Sequence, residues 1–313
     1  MFVLPKGIIA RIEATCRNFL WDNSADYRRA PLVAWDKVCR SKEEGGIWLK
    51  NQENMNKTMV GRLVNWIAEK KDTIWVKWVQ QNYLKGTNWI DYIPTAQSSW
   101  VWRRICRVKQ ELLPGYTDGQ WTVQGKEYSA VVCYEWLQGS APKVSWARLI
   151  WNGWVLPKHQ FFGWLYAQGA LRTNDGLMQF GMDIDDTCFL CAQATEGANH
   201  LFFECAYSKQ VICCINQSVK CHFPHRQVLD WCLQRTGTKM QIGVQAAVIW
   251  GAMYHIWQER NKCRLDGVLI RPGACAEKII EVVKARIRGR DFQHMTKEEI
   301  NWLKHKNLYV IGS

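Results

Sequence analysis

The chain has 313 residues, with 41 Lys and Arg against 28 Asp and Glu (net charge +13), 19 Trp and 13 Cys. That length allows two or three domains with sizeable cores, and the positive balance favours a polyanionic partner such as nucleic acid over an acidic or neutral one. An odd cysteine count without a signal-like opening points to a reducing, intracellular setting, nucleus or cytoplasm, and the short apolar run Val244 to Trp257, broken by Gln245 and His255, points away from a membrane span.

In chain order the first predicted helix follows Val3, Leu4 and Pro5 and carries Ile8, Ile9, Ile12, Cys16, Phe19 and Leu20 at helical spacing. A loop over 22–29 leads to Pro31 to Trp35, read as a short strand, and Gly45 and Gly46 mark a turn. Helices are predicted over 54–70, 74–83 and 100–113. The last of these is basic, with Arg103, Arg104, Arg107 and Lys109 on one part and Trp102, Ile105 and Leu112 on another. Turn residues over 115–125 suggest a boundary, after which Ser129 is placed to cap a helix. A helix over 144–154, one opening at Pro157, and a short one capped near Asn174 and closed by Gly181 follow.

Then comes Cys188-x2-Cys191, an eight-residue gap, and His200-x4-Cys205. Three thiolates and one imidazole within eighteen residues make a full tetrahedral set for one structural Zn2+, with no position left for water. Thr195 is a candidate cap for the helix carrying His200 and Cys205, and Leu201, Phe202 and Phe203 read as packing that braces the site against Phe161 to Leu165. Ser208 would open a helix over 210–219. Beyond it, Ile242, Ala246, Ile249, Met253 and Ile256 alternate four and three apart, a heptad-like seam on a helix expected to end near Lys262. A last helix over 275–290 turns Ile279, Ile280, Val283 and Ile287 inward and ends with Lys284, Arg286, Arg288 and Arg290.

These residues resemble a known family. Trp146-x4-Trp151, Pro157 to Phe162 with Trp164, Leu171-x-Thr173, Cys188-x2-Cys191 and His200 to Cys205 are similar to the reverse-transcriptase zinc-binding domain that follows the polymerase in LINE-type (non-LTR) retrotransposon proteins of plants. Softer likeness covers Leu4-Pro5, Phe19 to Trp21, Glu44 to Gly46, Trp75 to Trp78, and Ile256-Trp257-x2-Arg260-Asn261. Two departures stand out: Glu196-Gly197 where the family has an acidic residue then Thr, and Val211-Ile212 in place of Val-Trp. The resemblance implies a mainly α protein: a helical zinc-binding domain with helical flanks and few short strands. Residues 1–115 would be the segment after the polymerase, 116–212 the zinc-binding domain and 213–313 a basic helical region. Without a Tyr-x-Asp-Asp box, the chain is expected to be a truncated, non-catalytic remnant that plausibly helps hold RNA or DNA.

The charge distribution fits that division. Residues 1–120 carry net +7, residues 121–212 net −2 and residues 213–313 net +8. Candidate nucleic-acid contacts therefore lie in the flanks, at Arg103, Arg104, Arg107, Lys109, Lys284, Arg286, Arg288 and Arg290, where cations would neutralise phosphates irrespective of sequence. Asp183, Asp185 and Asp186 read as a solvated turn rather than a two-metal site. His159 lacks the partners of a thiol protease, and Cys213, Cys214, Cys221 and His222 read as ordinary thiols and imidazole. No small-molecule substrate is indicated. Two rival readings are a protein-interaction module using the Ile242 to Ile256 seam, and a pseudogene product without a selected role.

Overall fold

The computed structural model describes residues 3–22, 31–117, 128–179, 181–220, 223, 228, 236–290 and 295–309. Phe180, Cys221, His222 and most of the 115–125 boundary segment lie outside them. The chain forms two compact units, Met1–Lys143 and Val144–Ser313. The division falls within the segment 116–212, and residues 213–313 belong to the same unit as residues 144–212. Helices supply nearly all regular structure among the described residues, as expected; extended pairing is an antiparallel bridge between Thr187 and Thr195. No helix among them is long and apolar enough to cross a membrane.

The first unit contains α1 (Lys6–Asp22), α2 (Trp35–Cys39), α3 (Gln52–Ala68), α4 (Ile74–Val79) running into a π-helical turn at Gln80–Leu84, α5 (Trp100–Thr117) and α6 (Ala130–Gln138). Asn51, Thr73 and Ser129 each accept the backbone N–H three residues on, which explains why α3, α4 and α6 start there. α3 is central and packs against α1, α5 and α6. Its Val60, Val64 and Ile67 are buried with Ile105, Val108 and Leu112 of α5. Gly61 permits this approach, because a Cβ there would lie 2.6 Å from the Tyr128 hydroxyl and 2.8 Å from Leu112. That hydroxyl donates to the Thr58 carbonyl at 2.7 Å. The strand expected at Pro31 to Trp35 does not form. Among the described residues no strand pairs with it; Val33 is buried and the chain turns into α2 at Trp35.

The second unit contains α7 (Ala147–Ile150), α8 (Pro157–Ala167), α9 (Asn174–Gln179), a π-helical turn at His200–Glu204, α10 (Ala206–Val219), α11 (Lys239–Asp266), α12 (Pro272–Arg288) and α13 (Lys297–His305). The helix expected over 144–154 shrinks to one turn, because the Asn152 side chain accepts from the N–H groups of Trp154 and Val155 and bends the chain. α11 opens with a Thr238/Gln241 capping box and runs past Lys262 to Gly267, whose left-handed φ of 67° ends it.

α11 is the axis of this unit and packs against α7, α8, α10 and α12. Trp250 is fully buried, its indole N–H donating to the Leu149 carbonyl at 3.2 Å, and the ring lies against Gly163, where a Cβ would sit 3.0 Å from it. Ala246, Ile249, Met253 and Ile256 are all buried and Ile242 half-buried. The heptad-like spacing therefore serves the internal core, not a partner: a helix apolar on most of its faces belongs inside a protein.

Candidate metal centre

The four clustered residues come from two local structures. Cys188 and Cys191 lie on a tight turn closed by the Thr187–Thr195 bridge, by the Cys188 N–H to the Ala194 carbonyl (2.8 Å) and by the Ala192 N–H to the Cys188 carbonyl (2.8 Å). Ala192 takes a left-handed φ of 52° to complete that turn. Thr195 consequently pairs backwards, its hydroxyl donating to Asp186, and does not cap the next helix as expected. His200 and Cys205 flank the π-helical turn, whose defining bond runs from the Cys205 N–H to the His200 carbonyl at 2.7 Å. A π turn brings residues five apart onto one side. Here it carries the imidazole and the thiol to the same point.

All four ligand atoms lie within 4.8 Å of one another. The Cys188 and Cys205 sulfurs are 4.0 Å apart, and the Cys191 sulfur is 3.3 Å from His200 Nε2. Metal bonds of about 2.3 Å to sulfur and 2.0 Å to nitrogen give tetrahedral edges of about 3.8 and 3.5 Å. The donor set and its spacing therefore suit one Zn2+. At Cys205 the electrostatics point the same way. Cys205 accepts from the Cys188 thiol, and the N–H groups of Ser208 and Tyr207, at the start of α10, face its sulfur; together they outweigh burial and hold this thiol well below its ordinary pKa. The N–H groups of Cys191 and Leu190 also face the Cys188 sulfur, but the hydrogen bond to Cys205 and burial outweigh them and hold that thiol above its ordinary pKa. Backbone donors of this kind stabilise thiolate ligands. Phe202 braces the site through edge contacts with Phe162 (6.0 Å) and Tyr166 (5.7 Å) of α8.

Sequence reasoning missed a buried clamp beside this cluster. Glu196 is fully buried and Arg260 of α11 nearly so. Arg260 Nε donates to both Glu196 oxygens at 3.0 Å, and Nη2 bonds Glu196 and, at 2.8 Å, Asn174 Oδ1. Glu196 also accepts the Asn174 N–H at 3.1 Å, and the Asn174 amide donates to the Asp185 and Thr187 carbonyls. The signal was present in the sequence: an arginine inside a predominantly apolar helix, and a carboxylate between the two halves of the ligand set.

The nominated basic residues differ in how each is used within its own unit. Lys109 is buried, its ammonium donating to the carbonyls of Trp89, Ile90 and Tyr92 at 3.0, 2.8 and 2.7 Å. Arg104 is buried in the first unit near Glu53. These two positions are removed from any phosphate-facing set, because folding spends their charge inside. Arg286 and Arg290 both donate to the Gly153 carbonyl, and Arg290 also covers the Trp154 ring at 5.2 Å. Lys284 and Arg288 share Glu281. Arg103, Arg107 and Arg288 remain exposed. Asp185 and Asp186 accept from Thr187 and Thr195 as turn residues. His159 packs on Tyr254 and His255 in the core of the second unit, and Cys213 is exposed.

A sequence profile of the family described as zinc-binding in reverse transcriptase matches residues 128–211. The matched segment begins in the first compact unit and contains all four clustered residues. An Arabidopsis thaliana protein named as a ribonuclease H is 32% identical over 108 residues, 33% of this chain but 17% of that protein. An uncharacterised mitochondrial protein of the same plant is 23% identical over 115 residues, covering 36% of this chain and 75% of the relative. No solved structure matches the chain.

Proposed function

We propose that this chain is a non-catalytic, zinc-clasped part of a reverse-transcriptase-like protein of retrotransposon origin, working in the nucleus or cytoplasm as a platform that contributes to RNA or DNA contact. In this reading residues 1–115 follow a polymerase in the parent protein, residues 116–212 are the zinc-binding domain and residues 213–313 a basic helical region. The convergence of Cys188, Cys191, His200 and Cys205 inside a segment of the zinc-binding family carries the reading. Bound zinc would supply a cross-link between the turn at 188–191 and the start of α10. With four protein donors no coordination position is open to water, so the role is structural rather than hydrolytic. Zinc content of the purified protein tests this directly. About one ion per chain is expected, falling towards zero in Cys191→Ser; near-zero zinc in both proteins overturns the assignment.

The nucleic-acid part rests on the nominated cations that stay accessible, among them Arg103, Arg107 and Arg288, and is tested at the first two. If they touch phosphates, affinity falls steeply with salt, and the Arg103→Ala, Arg107→Ala protein loses about two units of the log–log salt slope. Binding of a short RNA or DNA measured from low to physiological salt decides. An affinity indifferent to salt, or a slope unchanged in the variant, rejects these contacts.

A further inference from the structure

A stripe of α11 runs along the zinc turn. Trp257, Cys263 and Arg264 lie three, three and four residues from Arg260 and so flank it on one side of that helix. Arg260 makes the buried bonds to Glu196 and Asn174 described above, and its guanidinium lies 5.3 Å from the Phe189 ring centre and 5.0 Å from that of Trp257. The Cys263 thiol donates to the Phe189 carbonyl at 3.2 Å, between the first two ligands, and Arg264 covers the same ring at 5.9 Å. Three separate groups of α11 thus hold Phe189, the residue next to Cys188. Glu196 in turn fixes the far side of the turn: its N–H donates to the Asp186 carbonyl at 2.7 Å and its own carbonyl accepts from Asp175 at 3.1 Å.

We propose that Arg260 and Glu196 are positioning residues of the zinc centre, docking the Cys188–Thr195 turn onto α11 so that Cys188 and Cys191 meet His200 and Cys205 at one point. This inference rests on the zinc assignment above. Its physical basis is that a buried carboxylate and guanidinium are tolerated only when each satisfies the other, so the pair specifies one seating of the turn where greasy contacts alone would accept several. Zinc affinity is then a property of the whole second unit, because a turn free to rock must be ordered when the ion binds. Neither residue donates an atom to the ligand set, so their removal leaves the four ligands in place.

The test is zinc affinity of the full chain by competition with a chelating dye, together with the visible spectrum of the cobalt-loaded protein and far-ultraviolet circular dichroism. Arg260→Gln and Glu196→Gln are expected to weaken zinc binding about tenfold or more, the effect typical of groups that orient metal ligands. Arg260→Lys should recover part of the loss, since it keeps the charge without the fork. The cobalt spectrum of the glutamine variants should shift or broaden, reporting a loosened tetrahedron that simple loss of stability would not produce. Lys109→Met, which disturbs the first unit, serves as the control and should leave zinc affinity unchanged. A folded Arg260→Gln protein binding zinc within twofold of wild type, with an unaltered cobalt spectrum, overturns the proposal.

Should the single variants fail to fold, Glu196→Leu with Arg260→Met removes both charges at once and leaves neither orphaned. That protein is expected to fold yet bind zinc at least about tenfold more weakly; wild-type affinity in it also overturns the proposal. Wild-type protein that binds no zinc would instead sink the zinc assignment, and the positioning role with it.

Discussion

Cys205 does two things at one position: its sulfur belongs to the ligand set while its backbone opens α10, where Ser208 and Tyr207 point their N–H groups at it. A helix start is a place where negative charge is stabilised, so the cap and the ligand favour the same thiolate. Lys109 is the opposite case, a charge that looked like surface chemistry and is buried under three carbonyls and the Trp89 ring. Burial pushes its pKa below the usual lysine value, with Cys106 and Asp91 opposing. Replacing it with Met leaves those carbonyls without a donor and should destabilise the first unit by about 1–3 kcal/mol. Denaturant unfolding of Lys109→Met checks this. A change below about 0.5 kcal/mol would mean that water replaces the ammonium without loss.

At the scale of elements, apolar periodicity found most helices, and the caps at Ser129 and Pro157 were readable as residue preferences. The failures have physical causes. The stretch before α2 has strand-like composition but no pairing strand among the described residues, and Asn152 breaks a periodic run through its side chain, which spacing of apolar residues cannot register. The π turn at His200–Glu204 was unreadable because its sequence pattern differs from an α-helical one only by the partner of a single N–H. α11 shows what periodicity leaves out: a three–four alternation identifies one apolar stripe and is silent about whether the other faces are also covered. Because Gly163 lies under the Trp250 ring, Gly163→Val should force that ring out of place. A loss of roughly 1–3 kcal/mol is expected, measured as a lower Tm of the second unit. An unchanged Tm would show that α8 and α11 can separate without loss.

For the whole molecule, the ligand set was fully legible, since four donor residues in eighteen positions are a chemical pattern, whereas the Glu196–Arg260 clamp joins residues 64 apart and only folding reveals it. The charge excess was legible as a sum but not position by position, because Arg104 and Lys109 are buried while Arg103, Arg107 and Arg288 are exposed. A further whole-unit property follows from His159 and His255, which are buried beside each other in the second unit. Burial lowers the His159 pKa from 6.5 to about 3, with the neighbouring His255 and Lys158 adding to it; burial likewise lowers that of His255 to about 4, helped by Lys278 and Lys158. Both are therefore neutral when folded and bind protons more readily when unfolded. Their contribution to stability is full above about pH 6.5 and is lost as pH falls towards the folded values, at no more than about 1.4 kcal/mol per pH unit for each ring. Unfolding between pH 7 and 5 should show that slope, and His255→Phe should flatten it. A variant as acid-sensitive as wild type would place the effect on the metal ligands instead.

The 4.0 Å between the Cys188 and Cys205 sulfurs carries a different consequence, for the life of the protein in an oxidising cell. A disulfide needs about 2.05 Å, and these sulfurs sit on a turn and a helix start that a small rotation could bring together. Metal would then act as a chemical guard, occupying the lone pairs that peroxide attacks. Zinc-stripped protein treated with hydrogen peroxide should lose two hydrogens and gain a Cys188–Cys205 link, detected by peptide mass, with the peroxide reduced to water. Zinc-loaded protein should resist under the same treatment. Equal oxidation of both forms would show that the ion shields nothing.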